Sequence, residues 1–400
     1  MTNTAAVIGG GIAGTAAAIA LRHAGFDPVI HERHERSVAD ERGAFLTVAV
    51  NGLAALRSLG LSPEKVLAKG FPTPAMALRG ASGRVLAEMS LGREASGPGT
   101  LTIRRSDLYA AMRDEAEARG IPVVYGAALT RAVSGPDGAG AEFADGRRVR
   151  ADLLVGADGL RSRTRRSLDP GAPAPHYLGL LNAGGFTAGP VEPRLAPPPG
   201  VMQMAFGRRA FFGWATAPDG SVWWFANPPS KRPVEPGAFT AETWKAHLIE
   251  LFEGDPSSPA AELIRLSDEV VGPWNTEDMG PVRVWHDDRI VLVGDAAHAM
   301  APTSGQGASQ ALEDAVVLGH SLRGRVPIGA GLTAYEKARR PRVEKVAAHG
   351  RRGNSSKVQG PVGAAIRDAM MPLVFRLLQR KGDPQAWIFE HRLPPLPAGT

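Results

Sequence analysis

The first 32 residues constrain the fold most. An apolar run, Ala5-Ala6-Val7-Ile8, leads into Gly9-x-Gly11-x-x-Gly14. An alanine-rich helical pattern follows from Thr15 to Ala24 and is stopped by Gly25. A second apolar run, Pro28-Val29-Ile30-His31, ends at Glu32, eighteen residues beyond Gly14. Strand, glycine turn, helix, strand and acid, in that order, read as the first unit of a dinucleotide-binding fold. The first glycine permits the tight turn, the second lets backbone approach a pyrophosphate, and the third lets helix and strand pack closely. The first helix residues, Ile12 and Ala13, then present backbone N–H groups and a positive dipole end to phosphate. Glu32, followed by Arg33, is placed to accept hydrogen bonds from ribose hydroxyls. A carboxylate there disfavours a 2′-phosphate, so the site is expected to hold FAD or NAD rather than NADP.

The rest of the chain narrows the class. Its 400 residues allow two or three domains. With no cysteine, a disulfide scaffold, a thiolate metal site, an iron–sulfur cluster and a cysteine nucleophile are all excluded. No His and carboxylate cluster has metal-ligand spacing, so no metal is expected. No apolar run approaches the roughly 20 residues of a membrane span. The start of the chain carries no basic leader, so a cytoplasmic protein is expected. The net charge of +6 comes from scattered arginines with short clusters at 161–166, 339–340 and 351–352. None is interleaved with aromatics, which argues against nucleic-acid binding.

Later elements interleave. A helix is expected over 51–60, a hairpin from Ala75–Arg79 and Val85–Leu91, and a helix over Asp107–Arg119 opened by Ser106. Strands follow at Ile121–Tyr125 and Asp152–Val155. Apolar runs at Tyr177–Leu181, Val201–Phe206, Ala210–Thr216 and Val222–Asn227 alternate with turn signals, which predicts an antiparallel sheet. Arg289–Val293 reads as another buried parallel strand, followed by a helix over Gly307–Leu322 and an apolar helix over Ala364–Gln379. The expected class is α/β: a Rossmann-like domain (1–70, 98–172 and 281–350) with an inserted antiparallel-sheet substrate domain (71–97 and 173–280), and a C-terminal helix and tail (351–400).

Three further motifs carry chemistry. Gly294-Asp295-Ala296-Ala297-His298 follows the late parallel strand and runs on to Pro302, Gly305, Gln306 and Gly307. A carboxylate at a strand's C-terminal end faces the crevice where open α/β sheets bind ligands. Asp295 is therefore a candidate for a polyol chain, and the Gly305–Gly307 amides for a planar ring. His298 stands alone and reads as structural. Gly156-Ala157-Asp158-Gly159 follows another parallel strand; Asp-Gly is also a frequent turn pair. Arg104-Arg105-Ser106-Asp107-Leu108 puts arginine at a helix start, where it opposes the dipole unless an anion is bound.

Together these motifs resemble the class A flavoprotein monooxygenases with the p-hydroxybenzoate hydroxylase fold, over about residues 4–350. The resemblance implies that Gly9, Gly11, Gly14 and Glu32 hold the ADP half of FAD. It places Arg105 near the phosphates or ribityl chain, Asp295 on the ribityl chain, and Pro302 with Gly305–Gly307 along the ring. Asp158 resembles a residue linked to both FAD and NAD(P)H, and Gly43-Ala44 matches the loop beside the flavin. Ala299 stands where many members have proline. The implied reaction uses NAD(P)H to reduce FAD; O₂ then gives a C4a-hydroperoxide that hydroxylates an aromatic or polycyclic substrate. Nicotinamide binds transiently, so no second fingerprint is expected.

Substrate contacts are read from the sheet. Gln203, Phe212, Trp214 and Trp224, with Met204, Trp223, Phe225 and Asn227, suit an aromatic pocket, although each also suits sheet core. Arg209, or Arg208 beside it, is the candidate anchor for an acidic substrate. The absence of an evident carboxylate clamp favours a larger neutral substrate. Two other readings stay open: a reductase or oxidase on the same fold, and a non-catalytic flavin or ligand binder. The Trp-x-Trp-x-Ile-Pro segment of the halogenases is absent.

Overall fold

The structure, a computed structural model, describes residues 2–36, 43–92, 97, 99–324, 327–354, 361–379 and 384–397. The predicted tail beyond residue 397 lies outside them, as do 93–96 and 98 at the boundary expected between two segments.

A five-stranded parallel sheet forms the first layer, in the order β18 (Ile290–Leu292), β12 (Leu153–Gly156), β1 (Asn3–Ile8), β2 (Phe26–His31), β8 (Val123–Val124). Its central strands are buried on both faces, which is why they read as unbroken apolar runs. The helix Ile12–His23 returns the chain from β1 to β2. Its Ala16–Leu21 stretch is fully buried. The helix Gly307–Leu322 crosses it closely: a Cβ on Gly319 would lie 3.1 Å from Ala20 Cβ. Small residues on both helices are what permit that approach.

Three strands, β9 (Leu129–Gly135), β10 (Gly138–Phe143) and β11 (Arg148–Ala151), form a small antiparallel sheet that the sequence reading left unassigned. Another joins β3 (Phe45–Val48), β7 (Leu101–Arg104) and β4 (Phe71–Pro72). The largest sheet has seven strands, in the order β17 (Ser267–Asp278), β13 (His176–Thr187), β16 (Val222–Asn227), β15 (Phe211–Thr216), β14 (Val201–Phe206), β5 (Ala75–Arg79), β6 (Val85–Ser90). It is not wholly antiparallel, as expected from the hairpin signals, because β14 runs parallel to β5 where the two segments meet. One face is covered by the helices Ala241–Phe252 and Ala260–Arg265, which the sequence reading also missed. The opposite face turns toward β3 and the loop before it. There a Cβ on Gly184 would come 2.5 Å from Ala44 Cβ.

One helix start differs from expectation. The helix begins at Arg105, not Asp107. The Arg105 N–H donates to Ala44 O at 3.0 Å, so the first turn is tied to the β3 loop without a side-chain cap.

Candidate active site

The C-terminal ends of β1, β12 and β18 bring three motifs together. The glycine turn leaves β1 with the Gly9 N–H bonded to His31 O at 2.8 Å. A Cβ on Gly14 would lie 1.8 Å from Gly9 O, so only glycine allows helix and turn to meet there. At Gly11, by contrast, an added Cβ meets no protein atom within 4 Å. The same open space lies in front of Gly307, the first residue of its helix. Both positions of this cradle therefore face open space rather than packed core. Ile12 and Ala13 open the first helix beside them; a Cβ on Gly294 would lie 2.7 Å from Ala13 Cβ. The β1 and β18 loops are therefore in contact.

Glu32 is buried at the tip of β2. Its carboxylate accepts from Gly10 N at 2.7 Å and from His34 N at 2.9 Å, which fixes it beside the turn. Arg33 points outward, and its Nε donates to His34 Nε2 at 3.0 Å. Asp295 differs from every residue around it: Gly294, Ala296, Ala297 and His298 are buried, yet Asp295 is exposed. Gly294 adopts φ +57° and ψ −141°, a conformation suited to glycine, and this kink swings Asp295 outward. Arg105 is exposed in the same cleft, and its Nε donates to Tyr109 Oη at 2.7 Å. Tyr109 acts most strongly on its guanidinium and Asp295 also favours the charged form, so its pKa is raised. Gly43, at φ +103°, passes within 2.9 Å of Arg105 Cδ at its Cβ position. Pro302 and Gly305 are exposed, and Gly305 is left-handed at φ +57°. Gln306 is not exposed: its side chain turns inward to accept from Asn51 Nδ2 at 3.0 Å, which leaves only its backbone for the cleft.

Asp158 serves its own loop. Its carboxylate accepts from Ser162 Oγ, from Arg163 N at 2.7 Å and from Thr164 N at 3.0 Å, capping the helix Arg163–Leu168. What the loop gives the cradle is shape, since Ala157 O would lie 2.4 Å from a Cβ on Gly9. Arg165, in a run that reads as surface, is buried and donates to Ala296 O at 2.9 Å. It ties the Asp158 loop to the Asp295 segment.

Five of the substrate candidates, Gln203, Phe212, Trp214, Trp224 and Arg209, lie away from the cradle, whereas Met204, Trp223 and Phe225 lie on the face toward it. Phe212, Trp214 and Trp224 pack under the helices Ala241–Phe252 and Ala260–Arg265, and Trp224 Nε1 donates to Ser267 Oγ at 2.7 Å. Gln203 is registered opposite Trp214 and accepts from Arg79 Nε at 2.7 Å. Arg209 donates to Glu250 O and Glu253 O, both at 2.9 Å, and so caps a helix C-terminus. Its neighbour Arg208 donates its backbone N–H to Asp255 Oδ2 at 2.7 Å. The face toward the cradle carries the alternate residues: Phe186, Met202, Met204, Ala215, Trp223 and Phe225, meeting Phe45 and Phe71. Both faces of these strands are apolar, so a two-residue period alone does not say which face is which.

Residues 1–349 match the FAD binding domain family. The chain belongs to the FAD-dependent aromatic monooxygenases. It is 31% identical over 385 residues to aurachin C monooxygenase/isomerase of Stigmatella aurantiaca, covering 93% of this chain and 94% of that protein. It is 32% identical to 3-amino-4-hydroxybenzoate 2-monooxygenase of Streptomyces platensis, covering 98% and 96%. The crystal structure of Klebsiella pneumoniae HpxO with FAD and uric acid superposes with a TM-score of 0.79 at 26% identity, covering 97% and 95%.

The cradle of this monooxygenase fits FAD on the observations above: open glycine faces, a fixed carboxylate at the end of β2, and an exposed one at Asp295. Beneath the cradle lies a charged network that no motif in the sequence marks. Asp314 accepts from Gly294 N at 2.8 Å, His298 Nε2 at 2.6 Å and Arg339 Nε at 2.8 Å. Glu313 accepts from Asn51 Nδ2, Arg339 Nη1 and Arg342 Nε, each at 2.7 Å. Burial alone would raise the Asp314 pKa, but His298 and Arg339 overcome it and bring it to about 2. The network clamps Gly294, and through Asn51 it holds Gln306. Both loops that face the cleft therefore stand on one buried set of charges.

Proposed function

We propose that the chain hydroxylates a neutral aromatic or polycyclic small molecule, with NAD(P)H as electron donor and O₂ as oxidant, in the cytoplasm. The observation that carries this reading is the apolar wall beside the cradle. Among the described residues, two cations that reach it are already paired: Arg104, 3.8 Å over the Phe186 ring, with Glu269 at 3.1 Å, and Arg367, 4.3 Å over Phe206, with Asp368 at 2.7 Å. An acidic substrate would have to share these cations with the carboxylates that already hold them.

The redox chemistry, hydride uptake from NAD(P)H and activation of O₂, is supplied by FAD when bound. The chain's part is to bind, orient and exclude water. Glu32 would hold the ribose hydroxyls, and the turn Gly9–Gly14 with Ile12 and Ala13 would take the pyrophosphate at a helix N-terminus. Arg105 would counter phosphate charge, and Asp295 would hold the ribityl hydroxyls. Gly43-Ala44 would border the ring. The Gly305 and Gly307 amides, backed by the positive end of the helix Gly307–Leu322, would stabilise negative charge on it, with Pro302 alongside. Phe45, Trp223 and Phe225 would stack a flat substrate and keep water out.

The test is product analysis with matched substrates. Turnover of a phenol and none of the corresponding hydroxybenzoate supports the reading; the reverse preference refutes the neutral-substrate part. NAD(P)H oxidation with no oxygenated product points to a reductase or oxidase, and no oxidation at all to a binder.

A further inference from the structure

The apolar face does not end at the cradle. One cluster, around Phe186, Met202 and Trp223, touches Phe45 of β3. A second, around Leu78, Phe206 and Phe211, reaches Met371 and Phe375 on the helix Pro361–Gln379. Met204 and Phe225 pack against both, so the two clusters join along one face of the sheet. Together they cross from β13 to β6, five strand spacings or roughly 24 Å. A substrate of one or two rings needs only a fraction of that length.

The residues along the outer half are half-buried rather than sealed: Met76, Met89, Met204, Phe225, Met371 and Phe375. Four of the six are methionine, whose unbranched, polarizable side chain adapts to varied apolar shapes. Leu78, Phe206 and Phe211 alternate with the strand members of this set on the same face and are buried, so they are the fixed part of this surface. The helix above is fixed to the β5–β6 turn by Asp368, which accepts from Ala81 N at 3.0 Å.

We propose that this methionine-lined half, between β5–β6 and the helix Pro361–Gln379, is a subsite for an extended hydrocarbon substituent on the aromatic substrate. The chain runs from the cradle toward Met371 and Phe375. The proposal rests on the hydroxylase reading for the aromatic end only.

The experiment is calorimetric titration of the FAD-loaded protein with 4-alkylphenols from methyl to heptyl, without NAD(P)H. The wild-type dissociation constant is expected to fall about threefold to fourfold per added methylene. Met89→Gln and Met371→Gln, on opposite sides of the subsite, are measured separately. Each should flatten that series while leaving FAD content and 4-methylphenol affinity unchanged. 6-(4-Hydroxyphenyl)hexanoate, whose chain ends in a carboxylate, should bind at least tenfold more weakly than 4-hexylphenol. A flat wild-type series, no binding by any member, or a slope that both variants leave intact overturns the proposal. A steep series sensitive to the variants, with no hydroxylated phenol once NAD(P)H and O₂ are added, keeps the subsite and removes the hydroxylase reading.

Discussion

Gly11→Ala and Gly14→Ala separate cofactor binding from folding. The two glycines lie three residues apart in one turn, and the structure assigns them opposite surroundings. Gly11 has φ −78° and ψ −173°, which alanine adopts freely, and its Cβ would meet no protein atom within 4 Å. At such a site Gly→Ala stabilises a protein by about 0.4–1 kcal/mol through the unfolded chain. The apo protein should therefore gain stability. The new methyl group, however, stands where the pyrophosphate must approach. FAD affinity should fall by about two orders of magnitude, or about 2.7 kcal/mol. At Gly14 the Cβ would lie 1.8 Å from Gly9 O and 3.2 Å from Ala157 Cβ, so helix and strand must separate. That variant should lose about 3 kcal/mol or more of apo stability. The assay is urea unfolding of both apo variants beside FAD titration followed by flavin fluorescence. Equal loss of stability in the two, or full FAD affinity in Gly11→Ala, would refute the reasoning.

Asp295→Ala removes the exposed carboxylate of the β18 loop. Loss of charge-assisted hydrogen bonds worth about 1.5–3 kcal/mol should weaken FAD retention about tenfold to 150-fold. Full flavin content after gel filtration would take Asp295 out of the site. Arg339→Met leaves Asp314 and Glu313 short of a buried partner and should cost about 3–5 kcal/mol. Paired with Asp314→Asn in a double-mutant cycle, it should show coupling above about 1 kcal/mol, and additive effects would show that the network is not a unit. His31 is buried against Phe143 at 5.0 Å, and burial, then Arg147, lowers its pKa to about 4. The unfolded chain takes up this proton below about pH 6.5 while the folded chain does not, so stability should fall by about 2–3 kcal/mol between pH 6.5 and 4. His31→Gln should flatten that part of the stability profile; an unchanged profile would show that another group controls it.

The cofactor side of the molecule was legible because its signals are local. A glycine turn between a strand and a helix specifies its own geometry, and Glu32 needs only the length of one crossover to reach it. The helix Gly307–Leu322 could likewise be bounded from the sequence. The substrate side was not legible, because strands such as Val222–Asn227 are apolar on both faces and the covering helices decide which face is free. Trp224 and Trp223 are neighbours in sequence and lie on opposite sides of the sheet. The charged network was hidden for a related reason. Arginine and glutamate on a helix read as a solvated face, and only tertiary packing shows that Arg339 and Glu313 are buried together.

The central claim is that this chain uses FAD and O₂ to place oxygen on an aromatic ring. Turnover under ¹⁸O₂ tests it most directly, with FAD-loaded protein, NAD(P)H and a neutral aromatic panel, and products read by mass spectrometry. The account predicts one labelled oxygen atom in a hydroxylated product for each NAD(P)H consumed with a good substrate. NAD(P)H oxidation with all the label in hydrogen peroxide, whatever the aromatic compound, would contradict it.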